Sequence, residues 1–338
     1  MKKRIIQALR LEETDKRPLW IMRQAGRYLP EYRKLREKYT FLELSGSAEL
    51  SAEVTLQPLK RFPLDAGIIF ADIMSPLPSL GIKFDFAPGP IIDNPIQSFA
   101  QVKALPSDFH NIAPEVIKAI GFVKKEMPSS TALIGFGGAP WTLAAYLIQG
   151  KGVKDFPLLR RFAYAEPDAL QLLMEKLSDL SLQYYIAQFE AGADLIQIFD
   201  SWAGLLSLEE WQLWIQPHLK RITQELNERN IPTILFLQNA NHLVNAYASM
   251  PVAGIGVDWR VNLSELQGLV GNRLAIQGNI DPAILLAGVN STKNATKALF
   301  KSVKPKGHIM NLGHGILPNT PIESVEAIIE VINNEVSR

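Results

Sequence analysis

The sequence predicts an α/β fold and, within that class, a single-domain (β/α)8 TIM barrel with an active-site cleft at the C-terminal ends of its strands. Eight short apolar runs alternate with longer amphipathic segments along the chain. The runs are continuously apolar, as in strands that are buried on both faces of a parallel sheet. An open, doubly wound sheet is the alternative that this pattern leaves.

The eight apolar runs are the predicted strands of the barrel. They lie at residues 18–22, 67–71, 131–136, 194–199, 232–237, 254–258, 274–277 and 308–312.

Helix signals stand between these strands. Ser207 and Glu210 form a capping-box pattern, Pro167 opens a long helical segment, and Thr320, with Pro321 and Glu323 after it, predicts the start of the last helix. The first 18 residues predict a short amphipathic helix.

The amino-acid composition argues against several classes of partner and site. The 338 residues include 35 basic and 34 acidic side chains, so a net charge of +1 argues against nucleic acid or an anionic membrane as partner. The absence of cysteine excludes disulfides and thiolate metal sites, and it fits a cytoplasmic protein. The uncharged run 131–150 is broken by glycine and proline, which predicts a strand, turn and helix rather than a membrane span.

Nothing in the chain marks a domain linker, so we expect residues 1–338 to form one domain. A segment rich in proline and glycine at 74–110 is too long for an ordinary βα loop. We interpret it as a lid or rim.

Positive charge is concentrated in one stretch, "MRQAGRYLPEYR" at 22–33. Residues 17–39 carry a local excess of five positive charges, far above the chain average. Arginines are usually solvated, but Gly26 permits close approach of a ligand, and two forked guanidinium groups suit carboxylate binding. We therefore predict that Arg23 and Arg27 bind an anion.

Other polar side chains also follow predicted strands, where barrel enzymes place their working residues. Asp72 follows "GIIFA", Ser201 follows "LIQIFD", and His314 lies in "NLGHGIL". Each has an ordinary explanation, as a turn former or a histidine bonded to backbone. Their common placement favours a shared cleft, for which we predict walls of Met22, Phe70, Trp141 and Phe199.

The sequence lacks the motifs of several kinds of catalytic or binding site. No histidine pair has metal-ligand spacing, "GFGGAP" lacks the lysine of a phosphate loop, and no lysine follows a strand as a Schiff-base nucleophile. We predict acid–base chemistry without a metal.

The strand ends resemble the uroporphyrinogen decarboxylase family of haem and chlorophyll precursor synthesis. The resemblance is carried, in the family's order, by "RPLWIMRQAGRYLPEYR", "FADIMSPL", "GFGGAPWTLAAYLIQG", "FDSWAG", "GVDWR", "IQGNIDP" and "NLGHGILPNTP". It implies a cytoplasmic homodimeric barrel that uses no cofactor or metal. It also implies conversion of the four acetate side chains of uroporphyrinogen III to methyl groups, giving coproporphyrinogen III and carbon dioxide.

The resemblance implies roles for particular residues. Arg23 and Arg27 would bind substrate carboxylates, and Asp72 would accept the pyrrole N–H groups and stabilise a cationic intermediate. The proton donor is left open between Arg23, Asp72 and water. The remaining substrate-binding residues would be Gln24, Tyr146, Phe199, Ser201 and His314.

Gln238 and Asn239 depart from the lysine–glycine type of turn expected after the strand in "ILFLQNANHLV". The resemblance therefore assigns no function to the loop at 234–244.

Two alternatives stay open on the sequence. A zinc- and corrinoid-linked methyltransferase of the same superfamily would show a His-x-Cys pair and a distant cysteine, which this chain lacks. A non-catalytic tetrapyrrole binder would need the arginines but not Asp72.

Overall fold

The structure is a computed structural model that describes residues 2–86 and 89–336 of the chain. Its strands are β1 Ala66–Ile68, β2 Asp85–Phe86, β3 Pro90–Ile91, β4 Ala132–Gly138, β5 Leu195–Asp200, β6 Thr233–Leu237, β7 Gly254–Val257, β8 Ala275–Gln277 and β9 His308–Ile309. Its helices are α1 Arg4–Leu9, α2 Pro30–Arg36, α3 Phe41–Gly46, α4 Ala48–Arg61, α5 Phe99–Ala104, α6 Pro114–Glu126, α7 Pro140–Gln149, α8 Pro157–Ala165, α9 Pro167–Glu190, α10 Leu208–Trp214, α11 Gln216–Glu228, α12 Val244–Tyr247, α13 Leu263–Val270, α14 Pro282–Leu286, α15 Val289–Ser302 and α16 Ile322–Val336.

Seven of these strands form one parallel sheet in the order β1-β4-β5-β6-β7-β8-β9. Each strand pairs with the next one of the sheet along the chain, and the order never reverses. A doubly wound sheet requires such a reversal, so this alternative is excluded. The predicted barrel class is confirmed.

The first predicted strand, 18–22, lies between the two edges of this sheet. Leu19 forms a parallel bridge with Met310, and its carbonyl accepts the backbone N–H of Asp65 at 2.8 Å. The prediction of a regular strand here was wrong, because the Asp65 carboxylate takes the N–H of Leu19 at 2.8 Å in place of a ladder partner. The segment still joins the two edges and closes the ring.

The interior of the ring contains apolar side chains and a chain of hydrogen bonds. The residues of β4, β5 and β6 are buried without alternation, as the continuous apolar runs predict. Between them the Trp20 indole N–H donates to Gln277 at 2.8 Å, and Gln277 donates to Gln197 at 3.2 Å. These bonds satisfy the buried amide of Gln277 and the amide oxygen of Gln197, whereas the Gln197 amide nitrogen has no partner among the described residues.

The helix boundaries test the capping predictions. Ser207 and Glu210 form the predicted capping box, and Pro167 opens α9. The prediction that Thr320 caps α16 was wrong, since its buried hydroxyl has no partner in the part of the chain that the structure describes. The N–H of Ser324 instead bonds to the carbonyl of Pro321 at 3.1 Å.

The segment at 74–110 has secondary structure of its own. It contains a short 3-10 helix at Leu77–Leu80, the antiparallel pair β2 and β3, and helix α5. Its Phe86 ring lies 4.9 Å from that of Phe41, and Ile91 bridges to Lys151. The segment therefore packs on the barrel, and its role as a lid or rim stays a prediction.

Across residues 2–86 and 89–336, no helix has the length and apolar character needed to cross a membrane.

Candidate active site

The predicted site residues lie beyond the C-terminal ends of the strands. Ser201 directly follows β5, Asp72 follows β1 by four residues, and His314 follows β9 by five. Arg23 follows the closing segment, and Tyr146 lies in α7, the helix after β4. The barrel thus brings residues from distant parts of the sequence to one end.

Asp72, Arg23 and Tyr146 are close enough to affect each other's ionisation. Burial raises the pKa of Asp72 to about 6, although the charge of Arg23 opposes this shift. Burial also lowers the pKa of Arg23, against the charge of Asp72, and raises the pKa of Tyr146. Arg23 nevertheless keeps solvent-exposed surface and Asp72 is half-buried, so both face a recess that water enters.

His314 joins the same group. Burial, reinforced by the charge of Arg23, lowers the pKa of His314 to about 4. Its imidazole is therefore neutral at physiological pH and can donate or accept a hydrogen bond. The ring of Phe236 lies 6.5 Å away.

The backbone around Arg23 fixes the direction of its side chain. Arg23 has φ of 62°, a left-handed conformation that is rare and costly for a side chain of this size. A Cβ atom at Gly315 would lie 2.2 Å from Cδ of Arg23. A Cβ atom at Gly26 would lie 2.8 Å from the carbonyl oxygen of Arg23. Gly26 therefore serves the turn itself, and Gly315 leaves space for the arginine.

The guanidinium groups of Arg23 and Arg27 have no carboxylate partner. Within residues 2–86 and 89–336, neither group makes a side-chain hydrogen bond or lies within 4.0 Å of an acidic oxygen. The charge of Arg27 also acts on that of Arg23. Guanidinium groups without a carboxylate partner are chemically suited to bind carboxylates of a ligand.

Two other arginines of the basic stretch have structural roles. Arg17 is 2% exposed and bonds to Glu335, His308 and two backbone carbonyls. Arg33 donates to the carbonyls of Arg27 and Tyr28. The excess of charge in the sequence therefore combines Arg23 and Arg27, which have no carboxylate partner among the described residues, with arginines that hold the structure.

Asp72 both opens a turn and presents a carboxylate oxygen to the recess. Its Oδ1 accepts the N–H of Met74 at 2.8 Å, and its own N–H donates to Ser75 at 3.2 Å. In the described part of the chain, its Oδ2 accepts no hydrogen bond. The turn-forming and ligand-facing interpretations of this residue are therefore compatible.

A buried network behind Ser201 was not predicted from sequence. The N–H of Ser201 donates to the Thr142 hydroxyl at 3.0 Å, which donates to Asp200 at 3.2 Å. The Tyr247 hydroxyl donates to the other Asp200 oxygen at 2.5 Å, and burial raises the pKa of Asp200 to about 6. The only sequence signal was Asp200 at a strand end; its partners come from other elements.

Gln24 is fully buried, and its amide bonds to the N–H of Ile21 and the carbonyl of Ala66. In this conformation it holds the turn before Arg23 rather than facing the recess. Phe199 packs edge-on between Phe136 and Phe236, the latter beside His314.

The predicted aromatic wall needs a correction. Trp141 is fully buried and stacks on Trp214 with ring centroids 5.8 Å apart, so it does not line the recess. Phe70 packs against Tyr32 and Phe41, away from Phe199.

A groove of about 190 Å³ lies at the other end of the barrel, beside the starts of β6 and β7. It is lined mainly by apolar residues with Arg10 as its one charged side chain, and it contains none of the predicted site residues.

The fold and this cleft define a (β/α)8-barrel protein in which Arg23 and Arg27 have no carboxylate partner among the described residues and Arg23 lies close to an aspartate of raised pKa. Residues 1–335 match the model of the uroporphyrinogen decarboxylase (URO-D) family. The chain therefore belongs to the uroporphyrinogen decarboxylase family, as its motifs indicated.

Curated relatives agree with this assignment. The chain is 40% identical over 336 residues to the uroporphyrinogen decarboxylases of Geobacter sulfurreducens and Geobacter metallireducens, with 98% of each chain covered. Among solved structures, a methyltransferase from Methanosarcina mazei aligns with a TM-score of 0.83 over 99% of this chain and 98% of its own. At 20% identity, that likeness supports the fold alone.

Proposed function

We propose that this protein decarboxylates the four acetate side chains of uroporphyrinogen III, giving coproporphyrinogen III and carbon dioxide. Family membership and 40% identity to curated uroporphyrinogen decarboxylases support the reaction. The observation that carries the assignment to this site is that Arg23 and Arg27 have no carboxylate partner among the described residues, while the charge of Asp72 acts on Arg23.

The substrate matches such a site chemically. It is a flexible tetrapyrrole with eight carboxylates at its edge and four N–H donors at its centre. Arg23 and Arg27 bind edge carboxylates, while the free oxygen of Asp72 accepts central N–H groups. Hydrogen bonds to an ionised acceptor are about twice as strong as neutral ones.

The reaction needs an acceptor for the electron pair of the breaking C–C bond. Protonation of a pyrrole ring carbon gives a cation, and loss of carbon dioxide then sends the electron pair into the ring. A proton added to the resulting exocyclic methylene makes the methyl group, and the ring carbon releases its proton. Each carbon dioxide therefore costs one proton overall.

Asp72 is the residue that stabilises the cation in this scheme. A carboxylate in a recess of low dielectric interacts strongly with a nearby positive charge. We assign Arg23 first to carboxylate binding and second to proton donation, because a guanidinium is a weak acid with a pKa above about 12. Asp72 and a bound water are the other candidate donors.

The proposed substrate site is completed by Tyr146, Ser201, His314 and Phe199, whereas Gln24 acts from outside the recess. Tyr146 and His314 offer polar groups around Arg23. Ser201 is held by the network behind it, Phe199 supplies apolar surface, and Gln24 supports the Arg23 turn.

The experiment is an anaerobic assay of purified, metal-stripped protein with uroporphyrinogen III, followed by chromatography of the oxidised products. We expect coproporphyrin, preceded by species that have lost one to three carboxylates. Tight binding without product would overturn the proposal and favour a tetrapyrrole-sequestering protein. A methyltransferase is not favoured, since its thiolate zinc ligands have no counterpart in a chain without cysteine.

We also propose that residues 1–338 form one domain and that the protein is a cytoplasmic homodimer, as the family resemblance implies. Sedimentation equilibrium of the purified protein tests the dimer, and a monomeric mass at micromolar concentration would contradict it.

A further inference from the structure

One positively charged side chain at the barrel mouth has no role in the scheme above. Arg260 lies in the loop that follows β7, and its side chain is 49% exposed. The loop is fixed on three sides: Asp258 accepts the N–H of Asn239 at 2.6 Å, and Asn279 donates to the carbonyls of Asp258 and Val261 at 2.8 Å.

The third side is the loop that carries His314. A Cβ atom at Gly313 would lie 2.5 Å from the backbone nitrogen of Trp259, so the two loops are in close backbone contact. Arg260 therefore stands on a rigid support beside His314. Its charge contributes to the lowered pKa of His314, which agrees with this placement.

The guanidinium group of Arg260 is held in place, and its ion pair with Asp258 uses only one nitrogen of the fork. Its central carbon lies 4.3 Å from the centroid of the Trp259 ring, and its Nη1 makes one long contact of 3.3 Å to Asp258. Asp258 already accepts two shorter backbone hydrogen bonds, from Asn239 and Arg260. Within the described residues, the other N–H groups of the fork have no side-chain or backbone acceptor.

Stacking on Trp259 orients the fork before any ligand arrives, which reduces the conformational entropy lost on binding. We propose that Arg260 binds a propionate carboxylate of the tetrapyrrole, at the rim of the mouth. This inference rests on the proposed decarboxylase function and adds a binding residue to it.

Propionate, rather than acetate, follows from the position of Arg260. A clamp on the departing carboxylate would stabilise the ground state and slow its loss, whereas a clamp on a carboxylate that stays supports ground state and transition state equally. The side chain of Arg260 is about half exposed beside His314, whereas Asp72 is half-buried in the recess. The four propionates are the carboxylates that the reaction leaves in place.

The test compares Arg260→Gln and Arg260→Lys with the parent, using uroporphyrinogen III as substrate and coproporphyrinogen III as competitive inhibitor. Loss of an exposed charge-assisted fork predicts a KM about 5- to 10-fold higher for Arg260→Gln, with kcat within about twofold. The product inhibition constant rises by the same factor, because the product keeps its propionates. Arg260→Lys restores part of both losses, since it keeps the charge but not the fork.

Arg221→Gln is the matched control. Arg221 is similarly exposed but pairs with Asp179 between outer helices, at 2.7 Å, so its substitution leaves both constants unchanged. An unchanged KM in Arg260→Gln overturns the proposal. A raised KM with an unchanged product inhibition constant overturns the propionate assignment, because the clamp would then hold an acetate. Parent protein that makes no coproporphyrinogen refutes the proposed function itself, a result distinct from both.

Discussion

The surroundings of Asp72 disfavour the ionised form of its carboxylate. Its pKa is raised to about 6 by burial, so the ionised carboxylate is less stable in the folded protein than in the unfolded chain. A residue kept only to form a turn would not need this cost, since asparagine accepts the same bond from Met74. The cost is consistent with a role in binding or catalysis.

Asp72→Asn tests this conflict between stability and function. We expect activity to fall by at least about 100-fold, because the cation loses its counter-charge. We expect the free energy of unfolding at pH 8 to rise by about 1–3 kcal/mol, since the desolvated charge is removed. The gain is present above pH 6 and disappears below about pH 4, where Asp72 is protonated in both states. Denaturant titrations at pH 8 and pH 4 measure it, and near-normal turnover would contradict the mechanism.

The pH dependence of kcat/KM gives a second prediction for the same carboxylate. We expect kcat/KM to fall as the pH drops through about 6, because Asp72 loses its charge in that range. His314, with a pKa lowered to about 4, stays neutral throughout it. Anaerobic initial rates between pH 5 and 8 measure the profile.

Asp200 has the same raised pKa, of about 6, so it needs its own control. If Asp72 causes the fall of kcat/KM at low pH, the Asp200→Asn variant shows the same fall at the same pH. If the fall of kcat/KM at low pH is absent from that variant, it is caused by the network behind Ser201.

At the scale of elements, the loop after β6 shows how a departure from the family pattern is accommodated. Asn239 has φ of 54° where a glycine was expected, and asparagine tolerates this left-handed conformation better than most residues. Its N–H also donates to Asp258, which supports the Arg260 loop. The substitution therefore preserves the turn.

Substitution of Asn239 tests that interpretation. Asn239→Ala should lower the free energy of unfolding by about 1 kcal/mol, because alanine is strained at positive φ. Asn239→Gly should leave it unchanged or raise it slightly. Equal stability of the two variants, measured by urea titration, would show that the conformation of the loop does not matter.

At the scale of the whole molecule, the barrel is closed by the segment before Arg23 rather than by a regular strand. Arg17 joins this segment to the C-terminal region through Glu335, His308 and the carbonyls of Phe300 and Val303. Its guanidinium also lies 4.4 Å over the Phe300 ring.

Arg17→Met removes this closure. We expect a loss of at least about 3 kcal/mol in the free energy of unfolding, because buried polar partners are left unpaired. Arg61→Met is the control: Arg61 pairs with Glu31 at a part-exposed site, where such pairs contribute about 1 kcal/mol or less. Equal midpoints for the two variants in denaturant would contradict a special role for Arg17.

The sequence by itself determined the barrel class, seven of its strands, the capping box at Ser207 and the family. These depend on local signals, namely continuous apolar runs, turn residues and motifs, that a chain displays before it folds. Local signals also named Arg23 and Asp72, which follow predicted strands, and Arg27, which lies in the basic stretch beside Gly26.

Only the tertiary structure decided what surrounds those residues. The closing segment has a single bridge because Asp65 takes the N–H of Leu19. The hydroxyl of Thr320 is buried without a partner among the described residues. Trp141 is buried because it stacks on Trp214. The raised pKa of Asp72, the space that Gly315 leaves for Arg23 and the support of Arg260 by three loops each join distant positions of the chain. Such contacts arise from the closure of the barrel, and no local pattern encodes them.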